Sequence, residues 1–393
     1  MANVSTHLGG RLAYAAAVAA LSSLPLAGAG TVLAQPADAE GGAVAGQAES
    51  PRDAVLAEAR EQALQVVHDA SRSDDPRERA AAIEAIQPVP DRAQTMVLLA
   101  LEDDNPGVRF AALVTIGQLE IEGLGPAALD LANDENLSVR GAAVFAAHRC
   151  GQDVGEQLSL LPRMLGSQQP SIRGNAVMLL GLLGDESAVP MIQEMAALPM
   201  PRVDPAERIW LQLQFAEALL RLDPDNEEML GVLRSSVFST IDDVRVLAIR
   251  VVGEVGDRSM IGALESLVGD DSDPIQIRIA GGRALAQLGS ANGRAILMAG
   301  ASYSSADVLQ DARDYLRSQR NNNGREAELM RQLVEDTTLQ AAIAADVRAQ
   351  SAFGLGEMDD LASARQLAAM LDDPHPIVRL AAAAAVLDAQ SGR

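Results

Sequence analysis

Residues 105–117 read Asn-Pro-Gly-Val-Arg-Phe-Ala-Ala-Leu-Val-Thr-Ile-Gly, and this stretch decides the fold. Asn105 is a good helix cap, and Pro106 suits the first helical position, where its missing N–H needs no partner. An alanine and an isoleucine follow Arg109 by three and seven residues, which places them on one helical stripe. Gly117 either ends the helix or lets a neighbour approach closely. The stretch therefore predicts a short helix with one packing face.

The same register returns along the chain, each time around an arginine. Proline often stands three residues before this arginine, and a small residue follows three residues after it. Consecutive arginines lie 30 to 37 residues apart, except for one interval of 70, which is twice 35. A period of this length indicates stacked supersecondary units, each too small to bury its own apolar face. These anchor arginines are Arg79, Arg109, Arg140, Arg173, Arg208, Arg245, Arg278, Arg348 and Arg379.

A second set of amphipathic stretches lies between the helices that carry the anchor arginines. Short turns rich in Gly, Asp and Asn separate the two kinds of helix, and the alternating apolar pattern of strands is missing. We predict an all-α fold, an α-solenoid of about ten helical hairpins that stack into a right-handed superhelix. The second set includes residues 91–101, 124–131, 154–165, 188–198, 259–268 and 361–371.

The repeated phrase Val-Arg-x-x-Ala-x-x-x-Leu/Val-Gly, followed by Gly-Asp, resembles the HEAT repeat, in particular its short phycobilin-lyase-like variety. The resemblance covers about residues 75–390. In HEAT proteins, Asp and Arg residues at these positions form ladders between adjacent repeats, and the resemblance implies that role for the anchor arginines. Carboxylates stand four to six positions before several of them: Asp74 or Asp75, Asp103 or Asp104, Asp134 and Asp373.

The repeat array has one irregular copy and an unusual end. Leu309 takes the place of the arginine in one copy, and the polar loop at 318–324 indicates either a flexible tip or a local break in the stack. After Arg379 the sequence holds no second helix. The last helix, 375–393, is therefore either a polar cap of the solenoid or a surface that pairs with another chain. Residues 51–70 have a helical pattern and are predicted to cap the first repeat.

Composition limits the kinds of partner that the surface can bind. All 31 basic residues are arginines, and with 54 acidic residues the net charge is −23, which repels a phosphate backbone. Aromatic residues make up only 2% of the chain, which leaves few stacking surfaces for bases or ring-shaped cofactors. We therefore expect no nucleic-acid partner and no cofactor. An acidic surface of this kind also keeps a long solenoid in solution.

The N-terminal segment has the pattern of an export signal. Arg11 precedes a stretch rich in Ala, Leu and Val, and Val32-Leu33-Ala34 offers a small residue at a cleavage position. The alternative is a retained membrane anchor, which Pro25 and several glycines make weak. We predict a signal peptide at 1–34, a disordered linker at 35–50, and a repeat solenoid at 51–393, in a periplasmic or secreted protein.

Catalytic and metal-binding patterns are not evident in the sequence. Cys150 is the single cysteine, so no disulfide can form within the chain, and a partly buried apolar role is favoured over a reactive thiol. The four histidines are scattered without ligand spacing. Some HEAT-like enzymes, the deoxyhypusine hydroxylases, hold iron through His-Glu pairs, whereas this chain has no His-Glu dipeptide. Bilin-attaching lyases share the repeat, which is an analogy of fold and not of site.

A methionine-rich segment around the lone tryptophan is the candidate partner-binding patch. Methionine and tryptophan dominate the energetics of many interfaces, although they could equally fill the core of a longer repeat. We predict a non-catalytic scaffold that binds a partner protein through its curved surface. The alternatives are a chaperone-like assembly factor and a non-catalytic subunit of a lyase or other enzyme. The candidate patch comprises Met191, Met195, Met200, Trp210 and Phe215.

Overall fold

The computed structural model describes residues 50–199, 203–318 and 324–391. The predicted signal peptide (1–34) and all but the last residue of the predicted linker (35–50) lie outside these ranges. Within them the chain is helical and contains no β-strand. The α-helices are α1 (Pro51–Ala70), α2 (Pro76–Ala85), α3 (Pro90–Ala100), α4 (Pro106–Gln118), α5 (Gly125–Asp130), α6 (Leu137–Arg149), α7 (Leu160–Leu165), α8 (Pro170–Leu183), α9 (Val189–Ala196), α10 (Pro205–Leu222), α11 (Glu227–Ser236), α12 (Asp242–Glu254), α13 (Ile261–Gly269), α14 (Ile275–Gln287), α15 (Arg294–Gly300), α16 (Ser305–Ser318), α17 (Arg325–Glu335), α18 (Thr337–Gly356), α19 (Leu361–Ala369) and α20 (Pro376–Ser391).

The helices that carry the anchor arginines begin where the sequence predicts. Helices α2, α4, α8, α10 and α20 start at a proline. Asp75 and Asn105 act as side-chain caps and accept a hydrogen bond from the backbone N–H two residues later. Asn136 caps α6 in the same way although no proline follows it. Each cap satisfies one N–H that the first helical turn leaves without a partner.

The hairpins form two layers. The motif helices, which carry the anchor arginines, pack side by side, each against the motif helix before it and the one after it. The first helix of each hairpin packs against the motif helix that follows. First helices of neighbouring hairpins meet much less, except α1 and α19, which pack against each other. The predicted all-α solenoid of stacked helical hairpins is confirmed. The motif helices are α2, α4, α6, α8, α10, α12, α14, α18 and α20.

Glycine permits the closest approaches between motif helices. A Cβ added to Gly117 of α4 would lie 2.4 Å from Cε1 of Phe145 in α6. The equivalent Gly356 of α18 faces Ala385 of α20 in the same manner. Helix α4 continues one residue past Gly117, so this glycine serves close packing rather than helix termination.

The layer of motif helices closes on itself. Helix α20 packs against α18 on one side and against α2 on the other. Helix α1 lies between α20 and α2, as α3 lies between α2 and α4. One apolar core contains Leu56, Ala63 and Val67 of α1 together with Val386 and Leu387 of α20. The hairpins therefore form a ring in which the first and the last meet.

Polar contacts hold α1 at this seam. The guanidinium of Arg52 donates to the carbonyl oxygen of Met358 (2.9 Å) and to that of Gly356 (3.0 Å). Arg60 donates to the side-chain oxygen of Gln390 at 2.8 Å. Helices α1 and α20, which the sequence predicts as caps of opposite ends, thus cover each other. The reason is that α20 is apolar on nearly all sides and α1 removes that surface from water.

The irregular copy lies outside the ring. Helix α16, in which Leu309 replaces the anchor arginine, packs against α17 and the first part of α18, while α14 contacts α18 directly. These three segments share a small core of their own, built around Val308, Ala312, Leu333 and Ala344. The interval of 70 residues between Arg278 and Arg348 therefore contains an inserted hairpin. Residues 319–323 of the polar loop lie outside the described ranges.

Candidate functional site

Several anchor arginines reach the carboxylate of the next hairpin with the same geometry. Arg79 donates from Nε and Nη2 to the two carboxylate oxygens of Asp103, at 2.7 and 2.8 Å. Arg109 binds Asp134 through the same two nitrogens, at 2.9 and 3.0 Å. In each case Nη1 donates to a carbonyl oxygen of the loop that precedes the arginine's own helix. A bidentate pair of this kind fixes both distance and orientation.

Two further pairs continue the series. Arg348 donates from Nε and Nη2 to Asp373 at 2.8 and 3.1 Å, and its Nη1 donates to the carbonyl oxygen of Tyr303. Arg245 donates to Asp273 through Nη1 at 2.7 Å. The hydrogen bonds from Arg79 lower the pKa of Asp103 below its ordinary value, because they stabilise the charged carboxylate.

Other anchor arginines find carbonyl oxygens instead. Arg140 and Arg379 donate to the carbonyl oxygens of Asp134 and Asp373. Arg173 donates to the carbonyl oxygen of Met195 and lies over the ring of Phe215. For these two arginines, the position that would hold the partner carboxylate in the next hairpin is a serine. It is Ser167 for Arg140 and Ser73 for Arg379. Arg278 donates to the carbonyl oxygen of Val268 and forms an ion pair with Asp271. Arg208 is half-buried on α10.

The methionine and tryptophan residues of the candidate patch lie in two different clusters. Met191 and Met195 are half-buried against the core that contains Phe215, which is itself buried. Trp210 is half-buried against a neighbouring core built from α10 to α14. Met200 lies outside the described residues. The large apolar side chains with the greatest exposure lie elsewhere, at Leu98, Leu99 and Phe238.

One face of each motif helix turns toward the centre of the ring. Residues three and four after the anchor arginine meet first helices, as at Gly281 and Gly282, and residues eight after it meet the next motif helix, as at Gly117. An α-helix turns 100° per residue. The side chains that point the opposite way, toward the centre of the ring, therefore stand two positions before the arginine and two, five and nine positions after it. We name these positions the inner stripe. In the sequence, the inner stripe can be recognised only by its spacing from the anchor arginine.

The centre is buried at one level and partly accessible at the next. Several side chains five residues after the arginine are almost inaccessible, among them Phe145, Leu213, Arg283 and Phe353. Side chains nine residues after it are partly accessible, and Glu357 is exposed. We name this recess the central depression. Its floor is the level of Arg283, and its rim consists of Gln118, Arg149, Leu182, Glu217, Glu254, Gln287, Glu357 and Asp388.

Charge is concentrated on the wall formed by α10, α12, α14, α18 and α20. Arg250 donates to Glu254 at 3.3 Å and lies 3.9 Å from Glu217, which also accepts from Arg221 at 3.3 Å. Arg283 donates from Nη1 to the side-chain oxygen of Gln350 at 3.0 Å. Five residues after the arginine, helices α4, α6 and α8 contribute the apolar side chains of Val114, Phe145 and Met178. The depression therefore has a polar and an apolar side.

Burial shifts the pKa values of the ionisable side chains on this wall. It raises the pKa of Glu254, Glu357 and Asp388, and that of Asp346 to about 6. The pKa of Arg283 falls to about 10 for the same reason, since burial disfavours the charged form of either sign. Sequence reasoning missed these residues because each is a single charge on an otherwise ordinary repeat. The one signal in the sequence was their spacing from the anchor arginine, which places all of them on the inner stripe.

The remaining residues singled out by sequence have structural surroundings. Cys150 is buried, burial raises the pKa of its thiol, and the thiol donates to the carbonyl oxygen of Ile121 at 3.4 Å. The backbone N–H of His375 donates to Asp373 just before α20 begins. Across residues 50–199, 203–318 and 324–391, no group of three or more His, Cys, Asp or Glu is arranged to hold a metal ion. In those ranges no helix has the length and apolar character needed to cross a membrane.

Comparison with known proteins finds similarity of structure only. No protein-family model matches the chain, and no curated protein matches it. The complex of CpcE and CpcF of phycocyanin lyase from Nostoc sp. PCC7120 is 17% identical, with a TM-score of 0.37 over 66% of this chain and 97% of that one. Human deoxyhypusine hydroxylase in complex with glycerol is 16% identical, with a TM-score of 0.32 over 86% of this chain and 98% of that one.

A third solved structure is similar to the same degree. A Kap121p mutant is 14% identical, with a TM-score of 0.32, and the match covers 84% of this chain and 40% of that one. Superpositions this loose concern the helical repeat alone.

Proposed function

We propose that this protein is a non-catalytic scaffold that binds a partner protein on its repeat surface. The observation that carries the proposal is the exposure of large apolar side chains on the outer layer. Leu99 on α3 is 70% exposed beside the exposed Leu98, and Phe238, just after α11, is 65% exposed. Full burial of one such side chain contributes about 1.5–3 kcal/mol. A partner that covers them gains that energy.

The ring supports this function because it presents a preformed surface. The Arg–Asp pairs that join successive hairpins, together with the α1–α20 seam, hold neighbouring helices at fixed distances. A surface that is ordered before binding loses little conformational freedom when a partner docks. In this proposal the anchor arginines shape the surface and do not themselves bind the partner.

The test is recovery of a partner from the native host with matched variants. Leu99→Glu and Phe238→Glu each place a charge in the exposed apolar positions, and Gln94→Glu adds the same charge to the exposed face of α3. We expect a protein recovered with the wild type and with Gln94→Glu to be lost with at least one of the other two. Recovery of no protein, or of the same proteins with all variants, contradicts the proposal.

The same proposal places the scaffold in the periplasm or outside the cell. The support is the sequence of residues 11–34, in which one arginine precedes an apolar stretch that ends in Val32-Leu33-Ala34. Mass spectrometry of the protein from its host tests this point. A mature chain that begins at Gln35 agrees with export, and an intact N-terminus on a cytosolic protein contradicts it.

A further inference from the structure

The large exposed apolar side chains concentrate at one rim of the ring. Consecutive turns that lead into motif helices stand side by side there, because Arg79 reaches Asp103 and Arg109 reaches Asp134 in the next turn. We name this edge the motif-start rim. Its described turns are 71–75, 101–105, 134–136, 166–169, 197–199, 203–204, 237–241, 270–274 and 373–375.

Two groups of exposed apolar side chains lie at this rim. Leu98 and Leu99 are in the last turn of α3, and Ile377 is the second residue of α20. Leu198 and Phe238 stand two residues after the ends of α9 and α11. At the opposite rim, where motif helices end, no large apolar side chain in the described turns is exposed. The two rims therefore differ in the apolar contacts that they offer a partner.

The two groups lie on opposite sides of the ring. Helix α3 packs against α2 and α4, and α20 packs against α2, so the first group lies beside the seam. Helices α9 and α11 pack against α10, about halfway round the ring. Nine helices spaced about 8–10 Å apart form a ring about 25 Å across. One partner that covers both groups must therefore span the ring.

Exposed carboxylates accompany these apolar side chains. Glu102 and Asp104 are exposed in the turn that follows Leu99 and α3. Asp243 is exposed in the first turn of α12, five residues after Phe238. The surface around each group is therefore negatively charged.

Arginine offsets little of this charge. Among the described residues of the rim turns and the first two residues of each motif helix, Arg72 and Arg77 are exposed, and Arg77 is paired with Asp75 at 2.6 Å. A docking face must therefore be basic, because like charges placed opposite each other across an interface oppose binding. The same carboxylates repel the rim of a second copy, a nucleic acid and an anionic membrane.

We propose that the motif-start rim docks a folded protein whose contacting face is basic and whose apolar side chains cover Leu99 and Phe238 together. This docking surface rests on the scaffold function proposed above, and it specifies where the partner binds and with what chemistry. A flexible peptide that crossed from one group to the other would lose conformational freedom without burying more apolar surface. A rigid face meets both groups without that loss.

Photo-cross-linking in the native host tests the surface. A benzoylphenylalanine residue replaces Leu99 in one full-length variant, Phe238 in a second, and Glu186, which is exposed at the opposite rim, in a control. We expect one and the same protein to cross-link from positions 99 and 238 and not from position 186.

The other outcomes overturn the docking surface. They are a partner reached from one of the two rim positions alone, different proteins at the two positions, equal cross-linking from position 186, and no cross-link at all. In each case, recovery of a partner by the wild type in the experiment described above decides the scaffold function separately.

Binding of the purified partner then tests the charge of its face. Glu102→Gln and Asp243→Asn each remove one carboxylate at the motif-start rim, and Glu186→Gln removes one at the opposite rim. We expect Kd to rise about threefold for each of the first two, to stay unchanged for the third, and to rise at least about tenfold between about 0.05 and about 0.5 M NaCl. Circular dichroism confirms that each variant is folded. Equal effects of the three variants, or a Kd that salt does not raise, contradict a basic face and overturn the proposal.

Discussion

At the scale of the residue, arginine occupies two kinds of surroundings in this chain, which differ at one edge of the guanidinium. Where Nε and Nη2 meet an aspartate, as in Arg109 with Asp134, the pair joins two hairpins. Where the same edge is buried without a carboxylate, as in Arg283, burial disfavours the charged form and lowers the pKa of the guanidinium to about 10. Lysine could not replace arginine in the joining pairs, because a single ammonium cannot make the bidentate contact.

Removing a joining arginine should destabilise the fold. Arg348→Ala leaves the carboxylate of Asp373 without its bidentate partner, and both side chains are largely buried. We expect the free energy of unfolding to fall by about 2–4 kcal/mol in denaturant titration. The exposed Arg317 pairs with Asp314, and Arg317→Ala should change stability by no more than about 0.5 kcal/mol. Equal effects of the two substitutions would show that the joining pairs carry no special energy.

The pH dependence of stability should report the buried carboxyl of Asp346. Its pKa is raised from 3.8 to about 6 by burial, so the folded protein keeps a proton that the unfolded chain has already lost. Stability therefore falls as pH rises from about 4 to about 6, and this contribution is constant above that range. Asp346→Asn removes the effect. Its stability advantage over the wild type should grow by about 1–3 kcal/mol across this window, and parallel pH profiles would contradict the assignment.

At the scale of the element, the spacing between motif helices depends on small residues. Gly117→Ala forces a Cβ to within 2.4 Å of the Phe145 ring, and we expect a loss of about 1–3 kcal/mol in unfolding free energy. Gly262 lies in the exposed face of α13 with nothing near its Cβ position. Gly262→Ala should therefore stabilise by about 0.5–1 kcal/mol. The two substitutions should shift the denaturation midpoint in opposite directions.

The α1–α20 seam should contribute a large part of the stability. Leu56 of α1 is buried in the core that contains α20. Leu56→Ala should lower the free energy of unfolding by about 2–5 kcal/mol, while Leu99→Ala, at an exposed site, should change it by about 0.5 kcal/mol or less. If Leu56→Ala were as mild as the exposed control, α1 would not be packed in the core.

The sequence predicted the repeated helices well because each start carries its own local signal. The proline and the capping side chain of α4 are visible within the quoted stretch at 105–117. Ring closure has no such local signal. It follows from the fit between α1 and α20, which lie more than three hundred residues apart. The sequence predicted both helices, one before the first repeat and one in a last repeat without a following helix, but it did not predict that they contact each other.

The inner stripe was equally hidden from sequence reasoning. Glu254 and Gln287 each occupy the ninth position after an anchor arginine, where other copies carry Pro88 or Leu182. A single repeat gives no reason to prefer one residue type there. The packing of nine different copies around one centre brings these side chains together, and only the three-dimensional arrangement shows that some remain without partners.

At the scale of the whole molecule, closure changes what a repeat protein exposes. An open solenoid has two ends whose apolar faces need caps, whereas here the two terminal helices cover one another. Closure also converts the inner layer from a curved surface into a recess with a floor. The outer layer keeps exposed apolar side chains such as Leu99 and Phe238.

The distance across the seam tests the ring most directly. Gln62 of α1 donates to Asp372, beside α20, at 2.8 Å, and both positions accept a spin label after Gln62→Cys and Asp372→Cys in a Cys150→Ser background. Pulsed electron resonance should give a label separation of about 20 Å or less. Nine hairpins stacked in an open array at about 9 Å each would place the labels well beyond about 40 Å. A dominant distance in that longer range would contradict the closed ring.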